Sequence, residues 1–131
     1  MANRKGVLIL ILVFAFVMII VLTIARINQN EALLIGDFEV SDYQYYIENC
    51  PSEEIIGSVN DVNILVKSVE EIWVIKYGES VRKQKPYQVL YDEEAEIWLV
   101  QGTLSHGKMG GVANILVANG TGKVLAIWHE K

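Results

Sequence analysis

Hydrophobic residues are concentrated in one run near the start of the chain. Eighteen of the 19 residues at positions 7–25 are apolar, and Thr23 is the exception. A helix of this length spans about 28 Å, close to the roughly 30 Å hydrocarbon core of a bilayer. Since the run contains no charged residue, the pattern predicts a transmembrane helix that contacts the lipid bilayer through residues 7–25.

A cleaved signal peptide is the alternative, because residues 23–25 (Thr-Ile-Ala) resemble a weak cleavage site. The apolar region of a signal peptide is usually only about 7–15 residues long. We therefore favour an uncleaved signal anchor. Lipid attachment is disfavoured because Cys50, the single cysteine, lies 25 positions beyond Ala25 in a polar context.

The flanking charges predict the orientation of this helix. Arg4 and Lys5 precede the run, and Arg26 follows it. Cytoplasmic flanks carry an excess of Lys and Arg, so residues 1–6 are predicted to be a cytoplasmic tail. The cell membrane is then crossed once, residues 26–36 form a linker, and residues 37–131 form an extracytoplasmic domain.

An aromatic-rich segment and then a periodic apolar segment follow the predicted linker. Residues 37–49 are rich in aromatic side chains, and their pattern fits either a short helix or a lid strand. After a break at Pro51, apolar residues recur at helical spacing. These residues are Val62, Leu65, Val66, Val69, Ile72, Trp73 and Tyr77. The polar residues placed mostly on the other side are Lys67, Ser68, Glu70, Glu71 and Lys76. Ser58 with Asp61 resembles a capping box at the start of this helix, and Gly78 fits its end.

Alternating apolar positions in the last third predict four strands. They cover residues 87–91, 96–104, 112–118 and 123–129, with a glycine-containing loop at 105–111 and an Asn-Gly turn at 119–122. One long helix followed by an antiparallel meander indicates an α+β domain, in which the helix packs on a curved sheet.

Composition and charge narrow the choice of partners. All 16 carboxylates lie beyond residue 30, whereas eight of the 11 Lys and Arg residues lie beyond Arg26, which leaves the domain near −8. This charge argues against nucleic-acid binding through a phosphate-neutralising surface. It suits a basic protein partner, although it also serves solubility alone. A single cysteine excludes an internal disulfide bond.

Several short segments resemble those of a known family. They are Tyr77-Gly78-Glu79, Gln84-Lys85-Pro86-Tyr87, Ile97-Trp98-Leu99-Val100-Gln101-Gly102-Thr103-Leu104, Gly110-Gly111-Val112 and Gly122-Lys123-Val124-Leu125. In this order and spacing, residues 51–131 resemble bacterial immunity proteins with a nuclear-transport-factor-2-like fold, which are found beside polymorphic toxin genes. The resemblance implies a cone-like domain that binds and neutralises a cognate toxin, without catalysis and without a cofactor.

Physical reasoning gives several of these residues a structural role. Gly102, Gly110 and Gly111 suit bends in a curved sheet, and Pro86 suits the start of a strand. Trp98 is expected in the core or at its rim.

Two surfaces are candidate partner contacts. One is the acidic turn with Asp92, Glu93, Glu94 and Glu96, and the other is the loop with His106, Lys108 and Met109. Solvated hairpin tips are the alternative interpretation of both.

The sequence favours a binding protein over an enzyme. Ser105-His106 alone does not define a catalytic triad, and two distant histidines without cysteine partners do not indicate a metal site. Tyr87, Tyr91 and Glu96 are the groups that an internal catalytic pocket would use. The leading hypothesis is a membrane-anchored immunity protein. The alternative is an envelope protein of the same fold that binds a small ligand in the cone.

Overall fold

The computed structural model describes residues 3–131, except for the side chains of residues 22–31. Helix α1 (Arg4–Glu31) contains the apolar run and continues beyond it. Asn3 caps its first turn, because its side-chain oxygen accepts a hydrogen bond from the Lys5 N–H at 3.1 Å. The window Arg4–Val21 has the length and composition of a membrane-spanning helix, and none of it is buried inside the protein.

One mixed β-sheet organises the rest of the described chain. Its strands are β1 (Ala32–Asp37), β2 (Tyr87–Asp92), β3 (Ile97–Gln101), β4 (Ala113–Ala118) and β5 (Val124–His129). They lie in chain order, and β2 to β5 form the predicted antiparallel meander. β1 pairs in parallel with β2 at the edge, and its register shifts between Leu34 and Gly36.

The connection between β1 and β2 wraps around the sheet. Its helical elements are a 3₁₀ turn (Val40–Tyr43), α2 (Gln44–Asn49), α3 (Val62–Tyr77) and a second 3₁₀ turn (Glu79–Gln84). Between α2 and α3, the chain runs along the outer edge of β5. There the Ile127 and Val124 N–H groups donate to the carbonyls of Cys50 and Glu54 at 3.1 and 2.9 Å. The chain thereby covers this edge and both faces of the sheet.

The main core lies between α3 and one face of the sheet. Helix α3 contributes Leu65, Val69 and Trp73, all fully buried. Alternate strand residues face this helix because successive side chains of a strand point to opposite faces. The fully buried ones are Tyr87, Val89, Val100, Ala113, Ile115, Val117 and Val124. The rings of Trp73 and Tyr87 meet edge to face, with 5.2 Å between centroids.

A smaller aromatic core lies on the opposite face, beneath α2. Tyr46 stacks on Trp128 with 4.1 Å between ring centroids and 9° between ring planes. Tyr43 packs on the same indole at 5.8 Å. Leu99 and Leu116 complete this core from the sheet. The aromatic segment 37–49 is therefore largely helical, which resolves the choice between helix and strand.

The ends of α3 are set by Asp61 and Gly78. Asp61 is the N-terminal cap, and its carboxylate accepts hydrogen bonds from the Asn63 and Ile64 N–H groups at 2.7 and 3.0 Å. The predicted capping role of Ser58 is therefore wrong. Gly78 ends the helix as predicted, with φ of 90° and its N–H donating to the Val74 carbonyl at 2.8 Å.

Residues 26–36 were predicted to be a linker, but in the structure they are helix and strand. They form the end of α1 and most of β1, because the strand gains its hydrogen bonds from β2, more than 50 positions away. No local pattern signals such a partner. The α+β class, with an apolar N-terminal helix before a helix packed on a sheet, is confirmed. The division into a membrane segment and a domain stays a prediction, although the sheet itself begins at Ala32.

Candidate functional site

Glu70 is one of two buried carboxylates in the described part of the chain, together with Asp92. Glu70 lies on α3 and is only 9% exposed. One of its oxygens accepts a hydrogen bond from the Tyr87 hydroxyl at 2.6 Å and lies 3.0 Å from the Lys85 ammonium. The other oxygen pairs with the Arg82 guanidinium. Helix α3, the second 3₁₀ turn and β2 are therefore joined at this carboxylate.

The neighbours of Glu70 keep it ionised. Burial raises the pKa of a carboxyl group, but hydrogen bonds from Tyr87 and Lys85 and the charges of Lys85 and Arg82 outweigh it. The pKa of Glu70 consequently lies below its ordinary value. A general acid or base working near neutral pH needs a carboxyl pKa raised towards 7. This network is thus suited to holding elements together.

The other groups suited to internal chemistry do not converge with it. Tyr91 lies four positions from Tyr87 on β2, about 13 Å along the strand, and packs on Trp98 with 4.4 Å between ring centroids. Burial, followed by the charge of Glu96, raises the pKa of Tyr91. Glu96 itself is exposed in the β2–β3 turn. Fully buried side chains occupy the space between α3 and the sheet where a cone pocket is expected.

The predicted acidic surface divides into one internal and three exposed carboxylates. Asp92 is 9% exposed and accepts hydrogen bonds from the Ala95 N–H at 2.9 Å and the Val40 N–H at 2.8 Å. These two bonds lower the pKa of Asp92. Asp92 therefore ties the turn to the 3₁₀ turn before α2, which argues against its predicted contact role. The exposed carboxylates of the same turn belong to Glu93, Glu94 and Glu96.

The second predicted surface lies at the other end of the sheet. His106, Lys108 and Met109 are all exposed in the loop after β3, and Met109 is 99% exposed. The acidic turn precedes β3, whose five residues span roughly 16 Å. The two surfaces are therefore separate. Contact with a partner at either surface stays a prediction.

Two glycines of the family-like segments allow close approach of neighbouring chain. A Cβ atom on Gly111 would lie 2.0 Å from the Glu130 carbonyl oxygen. At Gly122, where φ is 70°, it would lie 1.7 Å from the Gly57 carbonyl oxygen. Gly110, with φ of 123°, lies in the loop between β3 and β4. Gly111 and Gly122 thus let the chain entering β4 and β5 pass directly against the backbone of Glu130 and Gly57.

Gln84 explains why a glycine is needed at position 102 of the family-like segments. Its side-chain oxygen accepts a hydrogen bond from the Ala113 N–H at 2.8 Å, and its backbone carbonyl accepts one from the Thr103 N–H at 2.7 Å. A Cβ on Gly102 would lie 2.1 Å from that side-chain oxygen. The second predicted strand, 96–104, accordingly ends at Gln101 in the structure, because the chain turns there and Gln84 packs against Gly102.

The remaining structural positions make specific contacts. Trp98 donates its indole N–H to the Asn119 side chain at 2.8 Å. The Pro86 carbonyl, just before β2, accepts a hydrogen bond from the Thr103 hydroxyl at 2.5 Å. The Tyr77 ring meets the His129 ring edge to face at 5.3 Å. Each contact joins neighbouring elements of the domain.

The sequence interpretation missed the role of Glu70, although a signal for it exists. Val66, Glu70, Trp73 and Tyr77 are spaced by four, three and four residues, so they share one stripe of α3. Glu70 is therefore an acidic residue on the apolar stripe, and its placement on the polar side is wrong. Its partners Lys85 and Tyr87 lie beyond the helix, and only the fold brings them near.

The fold packs a single long helix on one side of the sheet. The space between them is filled by buried side chains, and the Glu70 carboxylate at its edge is held in an ion-pair network. Residues 66–131, half of the chain, match the NTF2 fold immunity protein family, and the chain belongs to that family. The family is generally non-catalytic and is directed against toxins. The comparisons with curated proteins and with solved structures gave no match.

Proposed function

We propose that this chain is a membrane-anchored immunity protein that neutralises a cognate toxin by binding it. Membership of the immunity family is the observation that carries this proposal, because the matched residues 66–131 include most of α3 and the whole meander. We further propose that neutralisation involves no chemistry on the toxin. The ionised, fully paired state of Glu70 supports this part of the proposal.

The packed interior favours toxin binding over the small-ligand alternative. A ligand pocket in the cone requires an enclosed space lined by a few convergent polar groups. The corresponding space is occupied by Trp73, Leu65 and Tyr87, each fully buried. A partner is therefore expected on the outside of the domain.

Anchoring is supported by the exposed side chains of α1. Fourteen large apolar side chains from Val7 to Val21 are between 42% and 75% exposed. At about 1.5–3 kcal/mol for full burial of each, leaving them in water would cost on the order of 20 kcal/mol. That cost exceeds the stability of about 5–15 kcal/mol that is typical of a whole protein, and a bilayer removes it.

A second stretch of exposed apolar side chains lies at the start of β1. Leu33, Leu34 and Ile35 are 53%, 60% and 52% exposed, and β1 begins directly after α1. The charges at Arg4 and Lys5 favour a cytoplasmic amino terminus. We therefore propose that the domain lies close to the outer surface of the membrane.

Alkaline extraction of membranes tests the anchor. An anchored protein stays in the membrane fraction at its full mass of 14.7 kDa. Release into the soluble fraction in a form shortened by about 25 residues would instead identify a cleaved signal peptide. Protease treatment of intact cells with a permeable outer barrier should digest the domain, and protection until lysis would contradict the orientation.

Expression of the toxin encoded beside this gene tests the immunity function. Cells that produce the toxin alone should stop growing, and cells that also produce this protein should grow. A neighbouring product that is harmless by itself, or that remains toxic in the presence of this protein, would overturn the proposal.

A further inference from the structure

A groove lined by isoleucine side chains and by polar ones lies on the outer side of α3, away from the main core. One wall is the extended segment around Ile55 and Ile56, and the other is formed by Glu71, Ile72 and Ile75 of α3. Its volume is about 340 Å³. The chain leaves this groove open to solvent.

The stripe of α3 that borders this groove, and that continues beyond it to Ile64, is unusually apolar for the outer side of a helix. Ile64, Ser68, Glu71 and Ile75 are spaced by four, three and four residues, so they form one stripe along α3. Such a stripe normally carries polar side chains. Here Ile75 is 87% exposed and Ile64 is 52% exposed, and Ile55 across the groove is 70% exposed. Neighbouring exposed side chains of this size mark an interaction surface more often than scattered single ones.

The charged residues at the groove indicate what charge its partner should carry. Among the described lining residues, the charged ones are Glu54 and Glu71, and both are carboxylates. They would repel nucleic-acid phosphates and anionic lipid head groups. A second copy of the chain seated face to face on the same groove would bring like charges together. A basic protein surface with a projecting aliphatic or aromatic side chain matches both the charge and the apolar walls.

We propose that this groove docks the toxin, with an apolar side chain of the toxin between Ile55 and Ile75 and basic groups of the toxin beside Glu54 and Glu71. This inference rests on the proposed immunity function and names the surface through which it acts. The acidic turn at Glu93 and the loop at Met109 are then outside the principal contact.

Because these side chains are exposed, substituting them tests binding without unfolding the domain. Ile55→Ser and Ile75→Ser remove apolar groups that contribute little to the core, so the thermal midpoint should stay within a few degrees of the wild-type value. Glu71→Lys reverses one charge at the rim. Met109→Ser tests the rival contact surface in the β3–β4 loop. Tyr45→Ser is the matched control, because it removes a side chain that is 67% exposed and lies outside the groove and outside both predicted surfaces.

The binding assay uses the full chain in detergent and the purified product of the adjacent toxin gene. Ile55→Ser, Ile75→Ser and Glu71→Lys should each weaken Kd at least about tenfold, as expected for residues at the centre of an interface. Met109→Ser, at the rival surface, and Tyr45→Ser, the control, should each change Kd less than about twofold.

The possible results distinguish failure of the groove proposal from failure of the proposed immunity function. If the wild-type chain binds the toxin and both isoleucine variants bind equally well, the groove proposal is overturned while the immunity function stands. Loss of binding in Met109→Ser alone would move the contact to the β3–β4 loop and also overturn it. If the wild-type chain does not bind the toxin, the proposed function fails together with the groove.

Discussion

Replacing Glu70 by glutamine tests whether the interior carboxylate holds the domain together. The substitution keeps the size of the side chain and one oxygen acceptor for the Tyr87 hydroxyl, but it removes the charge that Lys85 and Arg82 face. A hydrogen bond to a charged group is worth about 1.5–3 kcal/mol, whereas a neutral one is worth about 1 kcal/mol. The Tyr87 contact should therefore lose roughly 1 kcal/mol.

The two cations add a smaller amount. The Arg82 side chain is 46% exposed and that of Lys85 is 28% exposed, so water partly replaces their lost partner. The pair with Lys85 is worth about 0.2–1 kcal/mol. The free energy of unfolding should consequently fall by about 2 kcal/mol at pH 7. Glu71→Gln, which changes an exposed carboxylate one position away, should cost less than about 0.5 kcal/mol.

The pH dependence gives a second, independent readout. The pKa of Glu70 in the folded chain is lower than the ordinary value of 4.5, so the carboxylate contributes its full stability above pH 4.5. That contribution is lost as the pH falls from 4.5 through the folded pKa. The difference between wild type and Glu70→Gln should therefore be greatest at neutral pH and should shrink on acidification below 4.5.

Denaturant unfolding of the full chain in mild detergent measures both effects. Tryptophan fluorescence is a suitable signal, because Trp73 contacts Tyr87 within the same core. If Glu70→Gln is as stable as Glu71→Gln, or if the difference from wild type grows on acidification, the ion-pair account of the interior is refuted.

Two further substitutions test the covering of the sheet on its edge and on its second face. Gly122→Ala places a Cβ 1.7 Å from the Gly57 carbonyl at a positive φ, so it should cost at least about 3 kcal/mol or prevent folding. Gly120→Ala is the control, because a Cβ there meets nothing within 4 Å, and its stability should stay within about 1 kcal/mol of wild type. Equal midpoints of thermal unfolding for Gly122→Ala and Gly120→Ala would refute the close approach at Gly122. Tyr46→Ala removes the ring stacked on Trp128 and should cost about 2 kcal/mol, while Tyr45→Ala, at a 67% exposed side chain, should cost less than 1 kcal/mol. A similar loss in both variants by the same assay would contradict the aromatic core.

The elements defined by local pattern were predictable from the sequence. The apolar run of α1, the periodic face of α3 and the alternating strands β2 to β5 all carry their signal within a few residues. The position of the turn at residues 119–122 and the Gly78 cap were both predictable from glycine. Gly78 and Gly122 adopt positive φ, at 90° and 70°, whereas Asn119 does not. These signals were sufficient for the α+β class.

The elements defined by distant partners were not predictable in the same way. β1 has no alternation and is a strand because β2 offers it hydrogen bonds. Glu70 is buried because Tyr87, Lys85 and Arg82 converge on it from a later segment. The sequence predicts an exposed Asp92 in an acidic turn. In the structure Asp92 is buried, because its carboxylate accepts a hydrogen bond from the distant Val40 N–H. The groove between Ile55 and Ile75, which we propose as the docking surface, likewise exists only in the folded chain.

The central claim is that this protein neutralises its toxin by binding alone. The most direct measurement mixes the full chain in detergent with the purified product of the adjacent toxin gene, and follows complex formation, toxin activity and toxin mass together. We expect a stable complex, inhibition that rises with the fraction of toxin bound, and a toxin of unchanged mass that regains its activity on release. Inhibition without a complex, or a toxin that is released cleaved or covalently altered, would contradict the claim.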